Sequence, residues 1–524
     1  MPGTRRPPRW ILLPFVAVAL LVPACSSSEN SSSTTASTPA STGGGGTRAT
    51  TEGAQGVTIA VQPDDQGRTL LDAIGRATTS VSITVYEIDA PQINQALVDA
   101  VRRGVDVRLV LNGQWWGGTS TKYAYDLQSV LASAAAQPGA GTVDVHWSSN
   151  NFQITHQKTV LVDALDGSGK VIDPGDLPPT AVAMVLTGNL NAYGYQSYQP
   201  ASSCEAPCNF WSARDFYMAV TDTTMVNEIA TVFASDFACD GRTVTNGLRD
   251  TELALTWSNG STGVQRGDDP GEYPADGKYP YFPDEPAQPA PDGPDPGPGT
   301  DQGNVRARML QVINGATERL DVVNEEMADP QTVDALAAAS QRLGAGKVRV
   351  VMTGAVNAQN SYAAAYNQLV AAGAVVHLFP NSNDVLYIHA KAIVADGATA
   401  YVGSTNISSP SMNFNRELGL LFTDQPDVLA PVLSTFEKDF ADPVAVPWTP
   451  QPLPTTTTTA TSTTTTTPPG TSAAGTAGRA PAAARPVGAF TPPMTCGPVT
   501  PPTPWPPAST TTTTTTTVPG GPTG

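Results

Sequence analysis

Apolar residues along the chain recur with two different periods. Val81-Ser82-Ile83-Thr84-Val85 and Val105-Asp106-Val107-Arg108-Leu109-Val110-Leu111 are short, β-branched runs of strand length. Between them Ile93, Ala96, Leu97, Ala100 and Val101 return at the three-to-four spacing of an amphipathic helix. Such strand and helix patterns alternate over 57–258 and again over 302–446. Strands joined by helices predict an α/β fold with mainly parallel pairing and helices outside the sheets.

The two regions repeat one another. Ser80 to Glu87 leads into a helical pattern and then Gly104 to Leu111, while Glu318 to Glu325 leads into an Ala-rich helix and then Gly346 to Met352. A second helix follows in each, near Tyr125 to Ala135 and Ser361 to Ala371, and then Val143-Asp144-Val145-His146 or Ala374-Val375-Val376-His377. This is a duplicated β/α unit, and two similar lobes in pseudo-twofold arrangement are expected.

The remaining stretches have other compositions. Residues 1–25 place Arg5, Arg6 and Arg9 before an apolar run from Trp10 to Val22, too short for a comfortable membrane span and shaped as an export signal. The run ends at Ala24-Cys25, similar to a bacterial lipobox in which Cys25 is lipidated; an ordinary secretory cleavage is the other reading. Residues 26–56 form a Ser/Thr/Gly-rich tether, and 259–301 a linker dense in Pro, Gly and Asp. Residues 447–524 are a Thr/Pro-rich tail with too little apolar surface to fold alone. The expected product is exported, either a cell-surface lipoprotein or a secreted protein.

Charge and cysteine content narrow the chemistry. With 28 Lys+Arg against 46 Asp+Glu the formal charge is -18, which argues against a protein that grips nucleic acid through bulk positive charge. Apart from Cys25 there are Cys204, Cys208, Cys239 and Cys496, whose spacing is not that of a zinc site. In an oxidising compartment these four are disulfide candidates, with three pairings open. No obligate protein partner is evident.

The chain has only four His and seven Lys, and two of each share one pattern. His156-Gln157-Lys158 runs to Asp163, and His389-Ala390-Lys391 runs to Asp396, both HxKxxxxD. A given His meets that pattern by chance on the order of once in a thousand, and here two do so at matched places of a repeat. Gly188-Asn189-Leu190-Asn191 follows the first copy and Gly403-Ser404-Thr405-Asn406 the second. Each repeat then places an acid after an arginine, Arg214-Asp215 and Arg416-Glu417. On a strand, His and Lys two apart share a face. Two such units facing each other would gather two imidazoles, two ammonium groups and carboxamides, a set suited to a phosphodiester. His146 and His377, at equivalent strand ends without a chemical partner, read as structural.

With these motifs the chain resembles the phospholipase D superfamily, which carries two HKD motifs in one chain. The second copy matches HxKxxxxDxxxxxxGSxN without a gap. The first is longer, with 35 positions from His156 to Asn191 against 17 from His389 to Asn406. The extra residues, near Ala164 to Thr180, predict a hairpin or loop. A second insertion holds Cys204 and Cys208. The resemblance covers about residues 57–446. It implies a phospholipase D-like fold, His156 as nucleophile and His389 as general acid then base. It implies phosphate contacts from Lys158, Lys391, Asn191 and Asn406, joined on the substrate side by Asn189 and Ser404. It also implies crossed support, Glu417 for His156 and Asp215 for His389. Asp163, Asp396, Gly188 and Gly403 would be structural, and no metal or other cofactor is needed. The expected activity is hydrolysis, and transfer, of phospholipid headgroups at a membrane surface. An extracellular nuclease or an inactive surface-binding relative are the alternatives, the nuclease disfavoured by scarce Lys.

Overall fold

The computed structural model describes residues 56–112, 120–148, 154–195, 212–238, 253–259, 305–354, 359–382, 385–413, 415–450 and 496–499. All fall in one unit, Thr50–Gly524. The first part forms β1 (Val57–Gln62), α1 (Arg68–Arg76), β2 (Ser80–Val85), α2 (Pro91–Arg102), β3 (Asp106–Leu111), α3 (Ser120–Ala135), β4 (Val143–Trp147), β5 (Thr159–Val162), β6 (Val182–Leu186), β7 (Ala213–Val220) and α4 (Thr223–Phe237). There follow β8 (Leu253–Asn259), α5 (Val305–Gly315), β9 (Leu320–Val323), α6 (Pro330–Leu343), β10 (Val348–Thr353), α7 (Gln359–Ala371), β11 (Val375–Phe379), β12 (Tyr387–Ile388), β13 (Ala392–Ala395), β14 (Thr399–Gly403), α8 (Ser409–Asn413), β15 (Arg416–Phe422), α9 (Pro426–Phe440), β16 (Val446–Pro447) and β17 (Gly497–Pro498).

Local chemistry accounts for several boundaries. Pro91 and Pro330 open α2 and α6, where a missing N–H costs nothing. Asp329 caps α6 by accepting from the Thr332 N–H, and Asp222 caps α4 through Met225, each contributing about 1 kcal/mol. In α2 four of the five spaced residues, Ile93, Leu97, Ala100 and Val101, are buried, Ala96 is partly buried, and Val98 is buried as well. Every residue of β2 is buried, as expected of a strand covered on both faces.

The first sheet runs β1-β7-β6-β5-β2-β3-β4-β17, with β12 also on β7; the second runs β16-β11-β10-β9-β13-β14-β15-β8. Among the described strand pairs only β2–β3, β3–β4, β9–β10, β10–β11 and β12–β7 are parallel. The two α/β lobes are therefore mixed sheets, where helix–strand alternation predicted mainly parallel pairing. The HKD strands β5 and β13 are followed by strands rather than crossover helices, so β5-β6-β7 and β13-β14-β15 fold back antiparallel.

Two assignments from sequence change. The strand at 253–259, placed in the first lobe by the boundary at 258, is the edge strand of the second sheet and pairs antiparallel with β15. It does for β15 what β1 does for β7. The Pro/Gly/Asp-rich stretch thus lies inside the second lobe, between its first strand and its first helix. The tail set apart from residue 447 also contributes pairing. Val446–Pro447 adds to β11, and Gly497–Pro498 adds to β4, the equivalent edge of the first sheet. Cys496, beside that last strand, is disulfide-bonded. Cys25, Cys204, Cys208 and Cys239 lie outside the described residues.

Three apolar clusters follow from this topology. One surrounds α1–α3 on the first sheet, and one surrounds α5–α7 on the second. The third draws on both lobes: Phe216 and Phe233 from the first, Leu418 and Phe436 from the second. There α9 reaches β1 and α4 reaches β8, so each lobe's last helix packs on the other's first strand. His146 and His377 sit at matched places beneath this joint. Each ring stacks on the last Phe of its lobe's closing helix, Phe237 or Phe440, and its Nδ1 meets that residue's carbonyl at 2.9 and 2.8 Å.

Candidate active site

Both HKD segments cross the joint between lobes before entering their strands. The His156 and Gln157 N–H groups donate to the Arg416 carbonyl at 2.8 and 2.7 Å. In the mirrored place β12 lies on β7, and the His389 N–H donates to the Arg214 carbonyl at 3.2 Å. Each histidine is thereby pinned beside the acid of the opposite lobe. His156 Nδ1 lies 2.9 Å from both oxygens of Glu417, and His389 Nδ1 lies 2.9 Å from Asp215 Oδ1. The rings and acids are almost wholly buried.

These contacts fix the tautomers. A carboxylate can only accept, so each Nδ1 carries a proton and each Nε2 is turned away from the supporting acid. Burial holds His156 well below an ordinary imidazole, to about 4, against the opposing pull of Glu417. It is therefore neutral near pH 7, with a lone pair at Nε2. Burial would raise Glu417, but His156, Lys158 and Ser404 outweigh it and keep the carboxylate low.

The lysines stand at the start of β5 and β13 with no side-chain exposure. Lys158 Nζ donates to the His156 carbonyl at 2.6 Å, and Lys391 Nζ to that of His389. Burial and then the charge of Lys391 push Lys158 down to about 7. His156 and Lys158 both feel Lys391, and Glu87 feels both Lys158 and His389, so the two motifs share one electrostatic environment.

The motif aspartates act at the other end of the strands. Both adopt positive φ, 51° at Asp163 and 54° at Asp396, which Asp tolerates better than most residues. The Asp163 carboxylate accepts from the N–H groups of Thr78, Thr79 and Ser80, and Asp396 from those of Thr317, Glu318 and Arg319. Burial opposes ionisation of Asp396, yet these donors bring it down to about 2. Gly188 is required by close approach, because a Cβ there would collide with the Asp215 carboxylate. At Gly403 a Cβ would collide with Gly419 and the Tyr401 hydroxyl.

Ser404 departs from its expected place on the substrate side. Its hydroxyl donates to Glu417 at 2.5 Å and accepts from the Leu418 N–H, so its hydrogen bonds support the acid. In the first lobe the same service comes from Thr187, which bonds Asp215 at 2.7 Å and the Phe216 N–H. Asn191 and Asn189 donate to Glu87 at 2.6 and 3.4 Å, and Asn406 donates to Glu325 at 3.3 Å.

Those two glutamates were not singled out from sequence. They lie two residues beyond β2 and β9, at matched positions of the repeat, and that match is the signal that could have found them. Burial raises Glu87, whereas Glu325 is held low, against burial, by His389 and Lys391. Also missed were two buried ion pairs across the joint: Arg214 with Asp439 at 2.7 Å and Arg416 with Asp236 at 2.8 Å. The repeated Asp-Phe-Ala at 236–238 and 439–441 is their trace in sequence. The extra residues near 164–180 form a loop with a Leu165–Val171 bridge, and the Thr180 hydroxyl returns to Asp163. Tyr195, from the second insertion, is packed inward with its hydroxyl 3.1 Å from that of Tyr217. Among the described residues no group of three or more His, Cys, Asp and Glu is arranged to hold a metal.

Comparison with known proteins fits this two-lobed site. The family model described as cardiolipin synthase, PLD-like domain, matches twice, over residues 70–196 and 309–441, each span containing one HKD histidine and lysine. The chain belongs to the phospholipase D superfamily, with one such domain per lobe, and is a phosphodiester-acting enzyme. Among solved structures it is similar to phosphatidylserine synthase of Haemophilus influenzae Rd KW20, at 11% identity and TM-score 0.48, covering 76% of this chain and 88% of that one. Nuc of Salmonella typhimurium, a phospholipase D family member, is 20% identical with TM-score 0.25, over 27% of this chain and 90% of its own. Polyphosphate kinase of Porphyromonas gingivalis is 13% identical with TM-score 0.42, over 74% of this chain and 50% of its own. No curated protein matches the chain in sequence.

Proposed function

We propose that this is an exported phosphodiesterase of phospholipase D type, which hydrolyses phospholipid headgroups and transfers phosphatidyl groups through a phosphohistidine. The observation that carries the reading is the crossed pair of His–carboxylate contacts, His156 with Glu417 and His389 with Asp215. They leave one Nε2 from each lobe to act on a single phosphorus.

In the first step His156 Nε2 attacks phosphorus while the bond to the leaving oxygen breaks. That oxygen takes the Nε2 proton of His389, which enters this step as the imidazolium, protonated at both nitrogens, and leaves it neutral with its Nδ1 proton still donated to Asp215. In the second step His389 accepts a proton from water or an alcohol, whose oxygen attacks phosphorus as the phosphorus–nitrogen bond breaks. Lys158, Lys391, Asn191 and Asn406 hold the non-bridging oxygens as charge builds. A neutral His156 suits the attacking role and is supported by its depressed proton affinity. The matched family model carries the name of a phospholipid synthase, which favours a lipid substrate.

Export rests on the basic and apolar start of the chain and on Ala24-Cys25. The membrane attachment in this reading is a lipid on Cys25. Labelling with a fatty acid in the producing cell should be lost in Cys25→Ala.

Purified mature protein should release the headgroup from phosphatidylcholine vesicles and form a phosphatidyl ester with a primary alcohol. His156→Ala and His389→Ala should each lose at least about a thousandfold of turnover. Cleavage of plasmid DNA without lipid turnover would replace this reading with the nuclease, and turnover of neither would favour a binding role.

A further inference from the structure

The second HKD motif already holds an anion, and that anion belongs to the protein. Glu325 Oε2 lies 2.9 Å from Lys391 Nζ, 3.3 Å from Asn406 Nδ2 and 3.4 Å from His389 Nε2. Its other oxygen accepts from the Tyr387 hydroxyl at 2.8 Å. One carboxylate oxygen therefore meets the lysine, the carboxamide and the free imidazole nitrogen that the proposed reaction needs for phosphate and leaving group. Carboxylate and phosphate oxygens are acceptors of the same kind for these donors.

The first motif is different. Glu87 bonds to Asn191 and Asn189, and among the described residues it makes no ion pair with Lys158 or His156. Both glutamates meet a carboxamide, but among the described residues only Glu325 also lies on its motif's lysine and imidazole.

We propose that Glu325 is a resident anion that blocks the phosphate position of the second motif and must be displaced by substrate. A phosphodiester brings its own negative charge, so it and the Glu325 carboxylate cannot share that position without strong repulsion. The neighbouring cations disfavour protonation of Glu325, which makes movement the route. The side chain keeps 21% of its surface exposed and has three torsions through which to turn aside. A small anion gains only the few contacts that Glu325 gives up. A larger diester can use contacts away from phosphorus to offset the displacement. The blocked position therefore selects against free phosphate and for phosphodiesters with an extended group, a refinement that rests on the proposed function.

Tungstate binding tests this without turnover. Titration calorimetry on the mature protein should give weak binding for wild type and binding at least about tenfold tighter for Glu325→Gln, because a like charge is removed and a carboxamide donor supplied. Glu325→Asp, which withdraws the charge by one methylene, should fall between them. Adding Lys391→Ala to Glu325→Gln should abolish the gain, locating the anion at the second motif. Tungstate binding no tighter in Glu325→Gln than in wild type overturns the proposal, and if that variant does not fold, the same criterion applies to Glu325→Asp. Headgroup release by wild type with unchanged tungstate affinity in the variant would sink this inference alone. Tightened tungstate affinity with no lipid turnover would sink the headgroup reading alone.

Discussion

The two lobes reach the same strand order by different routes through the chain. In the first, β1 passes to α1 through residues 63–67; in the second, β8 passes to α5 through 260–304. The outer edge of the second sheet is filled by Val446–Pro447, directly after α9. The same edge of the first sheet is filled by Gly497–Pro498, more than 250 residues beyond α4. What stays fixed is what the site requires: the crossing of each HKD segment, the acid that receives it, and the buried arginine before that acid. The insertion at 164–180 is tied to this frame, since its Thr180 hydroxyl donates to Asp163.

The site itself is not symmetric in detail. The first histidine has a glutamate whose hydroxyl support is Ser404; the second has an aspartate supported by Thr187. The second motif carries Glu325 on its lysine, while Glu87 stays on the carboxamides. Matched geometry with unmatched neighbours is what two different roles for two histidines would need.

Removing the supporting acids should break that comparison most strongly. Glu417→Gln and Asp215→Asn should each lower turnover of a natural lipid by about two to four orders of magnitude. With a p-nitrophenyl leaving group, which departs without a proton, Asp215→Asn should recover most of the rate of the first-turnover burst of nitrophenolate, though not of the hydrolysis that follows, and Glu417→Gln should recover neither. Equal recovery in both would mean that the roles are interchangeable.

The ion pairs test the joint rather than the chemistry. Asp236→Ala removes the carboxylate paired with the buried Arg416, and Asp439→Ala leaves the buried Arg214 with the Gln62 carbonyl and the more distant, exposed Asp64. Each variant should lose about 3–5 kcal/mol in denaturant titrations. A loss below about 1 kcal/mol in either would show that the joint does not depend on that pair.

A smaller effect concerns Glu326, which has no acidic counterpart in the first lobe, where Ile88 follows Glu87. Burial and the adjacent Glu325 charge raise Glu326 to about 7 from an ordinary 4.5. The folded state therefore holds this proton more tightly than the unfolded state. Its contribution to stability is full below about pH 4.5 and is lost as pH rises through about 7. Glu326→Gln should flatten that decline in thermal midpoints measured across pH 4.5–8. An unchanged slope would remove Glu326 from the account.

Much of this was legible in the sequence because charge chemistry was repeated at fixed spacing. The HKD pairs, the downstream asparagines and the crossed acids could be read from their spacing and from the family they resemble. Glu87 and Glu325 could not, since a lone carboxylate just beyond a strand carries no motif and only the repeat marks it. The placement of β8 escaped because nothing in Leu253–Asn259 names its partner, which is set by the open edge of β15. The last strand escaped because two residues of pairing lie within a Pro- and Thr-rich stretch whose composition speaks against a fold.

The central claim is one shared site in which His156 attacks and His389 moves the proton. Acid-free quenching during turnover of a phosphatidyl substrate, followed by peptide mass spectrometry, tests it directly. The account predicts a phosphatidyl adduct on the peptide containing His156, absent in His156→Ala and never on His389. An adduct on His389, or about half of wild-type activity surviving in each single histidine variant, would contradict it.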